Sequence, residues 1–187
     1  TSALPNWERE IERFTPELTF VTWHGADRRD NIEKLQNVDL VLTSYALIRR
    51  DLEELKKLKF RTVILDEAQN IKNADSATAQ ACKAVGGAHR IALTGTPLEN
   101  RLAELWSLFQ FLSPGYLGSE KEFRKRFALP IERAHDAAAA ARLKKLVAPF
   151  ILRRLKTDRG IIQDLPEKQE MKVYCTLTRE QATLYEA

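Results

Sequence analysis

Two periodicities alternate along the first 112 residues. Leu4 to Phe14 places Trp7, Ile11 and Phe14 on one face of a predicted helix, with Ser2 available as its cap. LTFVTWHG (18–25) reads as a strand, a polar helix-like stretch follows to Gln36, and DLVLTSY (39–45) reads as a second strand. ALIRRDLEELKKL then predicts a helix, RTVILDEA (61–68) a strand, SATAQACKAV (76–85) a helix and HRIALTGT (89–96) another strand. Strands with near-continuous apolar cores, separated by helices, indicate βαβ units around a buried parallel sheet. The expected fold class is therefore α/β, with helices on both faces of the sheet.

Beyond residue 100 the helical period takes over. RLAELWSLFQFL places Leu102, Leu105, Trp106, Phe109 and Leu112 at helical spacing, and Ser113-Pro114-Gly115 breaks the pattern. SEKEFRKRFALPIER and AAAAARLKKLVAPFIL read as further helices, the second with Leu143, Leu146, Val147, Phe150 and Ile151 in register. An irregular segment containing Gly160 and Pro166 leads to QEMKVYCTLT, which reads as a strand. Thr178 and Gln181 then have the spacing of a capping box at the start of a last helix.

Composition adds exclusions. Apolar residues make up 44% and charged residues 30% of 187, ordinary values that exclude collagen-like and disordered classes. No run approaches the ~18 apolar residues of a membrane span, and no signal peptide is visible. Two cysteines, Cys82 and Cys175, are too few for a disulfide framework, so a reducing, cytoplasmic setting is expected. The formal charge is +4, but it is unevenly placed. Residues 1–118 carry 15 basic and 16 acidic side chains, whereas residues 119–159 carry 12 and 5. Such a concentration fits an anionic partner, nucleic acid first, and equally a solvated helical face.

The sharpest chemical feature is VILDEAQ, an apolar strand ending in Asp66-Glu67. Ligands of open α/β sheets bind beyond the carboxyl ends of the strands. Two carboxylates there suit nucleotide hydrolysis: one holds Mg²⁺ through water, the other orients or deprotonates the attacking water. On its own the pair is equally a helix N-cap region. A second strand end, Thr94-Gly95-Thr96-Pro97, comes 28 residues after Asp66, and its hydroxyls are placed to meet Gln69 or the carboxylates. By itself Gly95-Thr96-Pro97 is a plain turn.

Taken together, DEAQNIKN, LTGTPLENRLAELWSLFQFLSPGYLGS, FRKRFALPIE, PFILRRLKTD and DLPEK resemble the SWI/SNF-type helicase-like ATPases of helicase superfamily two, in a DEAQ form similar to bacterial and archaeal members. TSALPNWERE and VLTSYALIRRD resemble further motifs of that family. The resemblance implies a RecA-like (P-loop NTPase) parallel-sheet lobe, incomplete here, over residues 1–112. A family-specific helical protrusion would follow at 113–157, then a linker and the start of a second lobe at 158–187. It implies ATP and Mg²⁺ as cofactors, with Asp66 as the metal residue through water and Glu67 positioning the water. Gln69 would couple the nucleotide site to the neighbouring lobe, and Thr94 and Thr96 would link hydrolysis to DNA grip. Ser2, Asn6, Thr43 and Ser44 match positions on the DNA side, with Trp7 expected in the core, and Arg153 and Arg154 match the family's basic pair after Pro-Phe, for which DNA, the second lobe and solvent all stay open as partners. The implied partners are double-stranded DNA and DNA-bound proteins, with no membrane, in a nucleoid-associated setting.

One part of the pattern is missing from these residues. None of the seven glycines is followed by lysine, so no G-x-x-x-x-G-K-[ST] loop occurs. The resemblance places that loop before residue 1, and most of the second lobe after residue 187. The polypeptide alone is therefore expected to hydrolyse no ATP and to self-associate through exposed sheet edges. His24, His89 and His135 have no zinc spacing, and Ser107 sits in an apolar helix without a nucleophile elbow. Two other readings stay open: a non-catalytic nucleic-acid-binding module, and a protein-interaction module.

Overall fold

The computed structural model describes residues 3–95 and 101–154, with residues 171 and 183, and only the backbone of Asn31. Two compact units divide the chain, Thr1–Leu146 and Val147–Ala187. In the first, helix α1 (Leu4–Phe14) precedes strand β1 (Phe20–Trp23), a 3₁₀ segment Asp27–Gln36 and strand β2 (Leu40–Thr43). Helices α2 (Tyr45–Arg50) and α3 (Leu52–Leu55) lead to β3 (Phe60–Leu65), a 3₁₀ turn Ala68–Ile71, α4 (Ala77–Ala84) and β4 (Gly87–Ala92). Both pairings are parallel, β1 with β2 and β3 with β4, so the α/β class expected from the alternating periods is present. Among the described residues no helix is long and apolar enough to cross a membrane.

Two apolar clusters hold these elements. Trp23, Leu35, Leu55 and Val85 form one, and Leu65, Ala68, Ile71, Ala79, Cys82, Leu108 and Phe111 form the other; Ile48 and Val63 pack against both. Burial in the second cluster pushes the Cys82 thiol up to about 12, so it stays protonated and inert at neutral pH. Gly87 opens β4 because any side chain there would meet Val63: a Cβ would lie 2.8 Å from its Cγ2. Arg90 fastens β4 to the helices behind it. Its guanidinium lies over the Phe111 ring and donates to the carbonyls of Phe111, Lys83 and Val85.

The helix read across residues 46–58 is broken in two at Asp51. Asp51 has φ −112° and ψ 29°, and its side chain is fully buried. The Arg28 guanidinium donates to both of its carboxylate oxygens at 2.6 and 2.9 Å, and the Trp23 indole N–H adds a bond of 3.0 Å. That tertiary anchor overrides a helical period that Asp51 itself does not interrupt. The face expected on α1 also differs. Leu4 and Ile11 are its buried residues, while Phe14 is exposed and Trp7 is 36% exposed. The cap position is Ala3, without a side-chain bond, and Ser2 lies outside the described residues.

Coverage of the β3–β4 pair is one-sided among the described residues. Leu65 and Ala92 are partners facing the core, whereas the partners Ile64 and Ile91 are 53% and 44% exposed. Leu93, two residues beyond Ile91, extends the same exposed face.

The helical region follows as α5 (Leu102–Leu112), α6 (Glu120–Phe123), α7 (Leu129–Ala134) and α8 (Ala137–Val147). Ser119 and Glu122 form a capping box at the start of α6. Packing continues past residue 112: Phe109 stacks on Tyr116, and the Trp106 indole donates to the Gly118 carbonyl. The stretch read as one helix over 119–133 carries a π turn, Arg124–Ala128, between α6 and α7. Pro130 explains it. Proline has no N–H for the Arg126 carbonyl four residues earlier, and the turn before it widens, with Leu129 N–H reaching the Arg124 carbonyl. In the second unit, Arg153 and Arg154 are exposed on an irregular segment after the short 3₁₀ turn Ala148–Phe150. The strand and capping box read after residue 168, with Cys175, lie outside the described residues.

Candidate functional site

Asp66 follows the last residue of β3, where apolar side chains that hold the strand in the core give way to the carboxylate pair. Backbone bonds fix the adjoining strand end. Leu93 N–H donates to the Leu65 carbonyl at 2.7 Å, and Ala68 N–H to the Leu93 carbonyl at 2.8 Å. The chain thus turns sharply at Glu67, which takes φ 50° and ψ 52°, the left-handed region that a residue with a Cβ rarely adopts. Such a conformation costs roughly 1 kcal/mol and persists only where its surroundings hold it. Here the Asn70 side-chain amide donates to the Glu67 carbonyl at 2.8 Å, and the Asp66 carboxylate accepts the Glu67 N–H at 2.9 Å.

From this turn a line of side-chain hydrogen bonds runs in both directions. The Gln69 amide donates to the Glu67 carboxylate at 2.7 Å, and the Thr94 hydroxyl donates to the Gln69 carbonyl oxygen at 3.0 Å. On the other side, the Trp7 indole N–H donates to Asp66 Oδ2 at 2.9 Å. The Tyr45 hydroxyl donates to the Asp66 carbonyl at 2.7 Å. Burial holds the Tyr45 phenol above its ordinary value, with the neighbouring Cys82, Asp66 and Glu67 adding to the effect, so it acts as a donor throughout the neutral range. Below the turn, the buried Ser107 hydroxyl donates to the Ile71 carbonyl at 2.6 Å and pins the 3₁₀ turn to α5.

The structure therefore brings together Asp66, Glu67, Gln69 and Thr94, while Thr96 lies outside the described residues. Asn6 is exposed on α1, with Arg9 bonded to its side-chain oxygen. Thr43 ends β2, and its hydroxyl donates to the Trp23 carbonyl, tying the two strands together. Ser44 is the N-cap residue of α2, but its side chain makes no capping bond. Trp7 and Tyr45 join the site without having been singled out for it. The signal for Trp7 was an indole N–H on a short amphipathic helix, a donor that needs a partner. For Tyr45 it was a phenol two residues beyond a strand end.

The donor set suits a hard cation. Magnesium keeps most of its waters, so the one carboxylate of Asp66 would be enough to hold it through water, with Glu67 beside it free to meet the attacking water. Asp66 is half-buried and Glu67 exposed, so both are within reach of solvent. Among the described residues no group of three or more His, Cys, Asp or Glu could enclose a metal.

Comparison with known proteins agrees with the motifs. The family model described as the SNF2-related domain matches residues 1–187. YwqA of Bacillus subtilis, a candidate ATP-dependent helicase/translocase, is 48% identical over the whole of this chain, which spans 20% of its length. The TATA-binding protein-associated factor MOT1 of Saccharomyces cerevisiae is 40% identical over 96% of the chain, which spans 10% of that protein. Among solved structures, the Sulfolobus solfataricus SWI2/SNF2 ATPase core in complex with double-stranded DNA matches 99% of the chain. Its TM-score is 0.80 and its identity 48%, and the chain covers 38% of it. The same core solved as the ATPase core domain matches with a TM-score of 0.76.

Proposed function

Because this chain belongs to the SNF2-related domain family, we propose that it forms the first nucleotide-handling lobe of an ATP-driven motor acting on double-stranded DNA. The observation that carries this reading is the hydrogen-bonded line from Trp7 through Asp66, Glu67 and Gln69 to Thr94 at the carboxyl ends of β3 and β4. In it, Asp66 would hold Mg²⁺ through water, and the ion would supply charge neutralisation at the phosphates. Glu67 orients the attacking water and takes its proton, with its carboxylate aimed by Gln69. Thr94 ties Gln69 to the end of β4, so a shift at that strand end is felt at the water-positioning carboxylate. In the first unit Ser2, Asn6, Thr43 and Ser44 are the DNA-facing residues, with Thr43 also fastening β1 to β2; in the second, Arg153 and Arg154 supply a basic pair for DNA.

Hydrolysis in such sites depends on charge stabilisation by a loop lysine and an arginine as well as on the carboxylates. The 187 residues contain no Gly-Lys-Ser/Thr sequence. Purified alone, they are expected to turn over no ATP above background in the presence of Mg²⁺ and duplex DNA. Turnover that disappears in Glu67→Gln would overturn this.

The exposed face of β3–β4 supports the further proposal that the isolated polypeptide self-associates. Ile64, Ile91 and Leu93 form a contiguous apolar strip beside strand edges that are unpaired among the described residues, the arrangement that invites pairing between chains. Light scattering should show mass rising with concentration, and Ile64→Lys with Ile91→Lys should return it to that of a monomer. An unchanged monomer at the highest soluble concentration would count against the reading.

A further inference from the structure

We propose that the groove between the π turn and α8, rimmed by Arg126, Arg142 and Lys145, is a docking site for an acidic peptide segment that carries a large apolar side chain. It is separate from the nucleotide site and goes beyond the motor reading. Arg126, Phe127, Arg142, Lys145 and Leu146 line the groove, with no carboxylate among them.

Three features shape it. The π turn caused by Pro130 adds a residue to the helical turn and re-aims the side chains of Arg124–Ala128 relative to those of α7, which sets Arg126 beside α8. On α8, Arg142 and Lys145 are three residues apart and share one face. The Arg126 guanidinium lies over the Phe127 ring at 5.2 Å, which fixes its plane and leaves its edge N–H groups for a carboxylate. Among the described residues none of the three cations forms a salt bridge. The Glu122 carboxylate accepts the Ser119 amide and hydroxyl at 2.8 and 2.7 Å, and these bonds, with the charge of Arg126 adding to them, hold it below its ordinary range.

The apolar part of the lining decides between anionic partners. Leu146 is 37% exposed at the groove, and the Tyr116 hydroxyl donates to its backbone carbonyl, holding that end of α8 in place. Duplex phosphates would pair with the cations but leave Leu146 against water. A peptide with carboxylates flanking a leucine or phenylalanine satisfies both halves of the lining, as charge complementarity with an apolar centre does in specific interfaces.

Fluorescence anisotropy on the full 187-residue chain tests this. The probes are a labelled glutamate-rich peptide containing leucine and phenylalanine, the same peptide with both replaced by serine, and a short DNA duplex. The first peptide is expected to bind, and the serine version to bind about tenfold more weakly, a difference of roughly 1.4 kcal/mol. Arg142→Glu with Lys145→Glu should abolish binding, and Leu146→Ser should weaken it for the first peptide only. All three are exposed side chains, so circular dichroism should be unchanged. Three results overturn the proposal: no binding of the first peptide, equal binding of the serine version, or duplex binding that alone is lost in the Arg142→Glu, Lys145→Glu variant.

Discussion

Asp51→Ala is expected to destabilise the first unit by about 3 kcal/mol, the largest loss of stability from any single polar substitution in it. Asp51 is completely buried and Arg28 is 6% exposed, and their two-pronged contact is joined by the Trp23 indole. Removing the carboxylate strands a guanidinium inside the protein, its other bond going only to the Gly25 carbonyl. An indole N–H in the centre of the Trp23 cluster also loses its acceptor. The arrangement carries a pH signature. Hydrogen bonds from Arg28 hold the Asp51 carboxyl below its ordinary range, even against the opposing effect of burial. Its stabilisation is present above the unfolded carboxylate value, near pH 4, and fades as the pH falls through the lowered folded value. Urea unfolding at neutral pH measures the loss, and the variant's stability should fall less steeply with acid than that of the parent. Equal midpoints for parent and variant would show that the pair is not an anchor.

Glu67→Gln carries the largest expected effect on chemistry. The substitution keeps the length of the side chain and its capacity to bond Gln69, while removing the charge that orients a water and accepts its proton. A suitable host is the Sulfolobus SWI2/SNF2 core with these 187 residues in place of the segment they match. There the turnover number should fall about 10²- to 10⁴-fold, the range general bases contribute. Affinity for Mg-ATP and for duplex DNA should change little, because binding does not use the proton-accepting charge. A fall confined to the apparent affinity would assign Glu67 to binding instead of catalysis.

What the sequence revealed and what it concealed follow from the range of the interactions. Asp66, Glu67, Gln69 and Thr94 were legible because each lies at or just beyond a strand end, and strand ends are marked by an abrupt switch from apolar to polar residues. Trp7 was not, since its acceptor lies 59 residues further on and only the folded packing of α1 brings them together. The break at Asp51 was hidden for the same reason: aspartate fits a helical pattern, and its partner Arg28 is 23 residues away. The π turn had a local cause in Pro130, but the apolar spacing around it suits a continuous helix, so the period masked the break. The one-sided cover of β3–β4 was equally hidden, because Ile64 and Ile91 look the same in a sequence whether or not anything packs on them.

Duplex-stimulated ATP turnover by that Sulfolobus chimera tests the central claim most directly. If the Asp66–Glu67 turn is the hydrolytic end of a DNA-dependent motor lobe, the chimera hydrolyses ATP, duplex DNA accelerates it, and Glu67→Gln removes the activity. A folded chimera that binds Mg-ATP and duplex DNA yet hydrolyses nothing, or one whose turnover survives Glu67→Gln, would contradict the account.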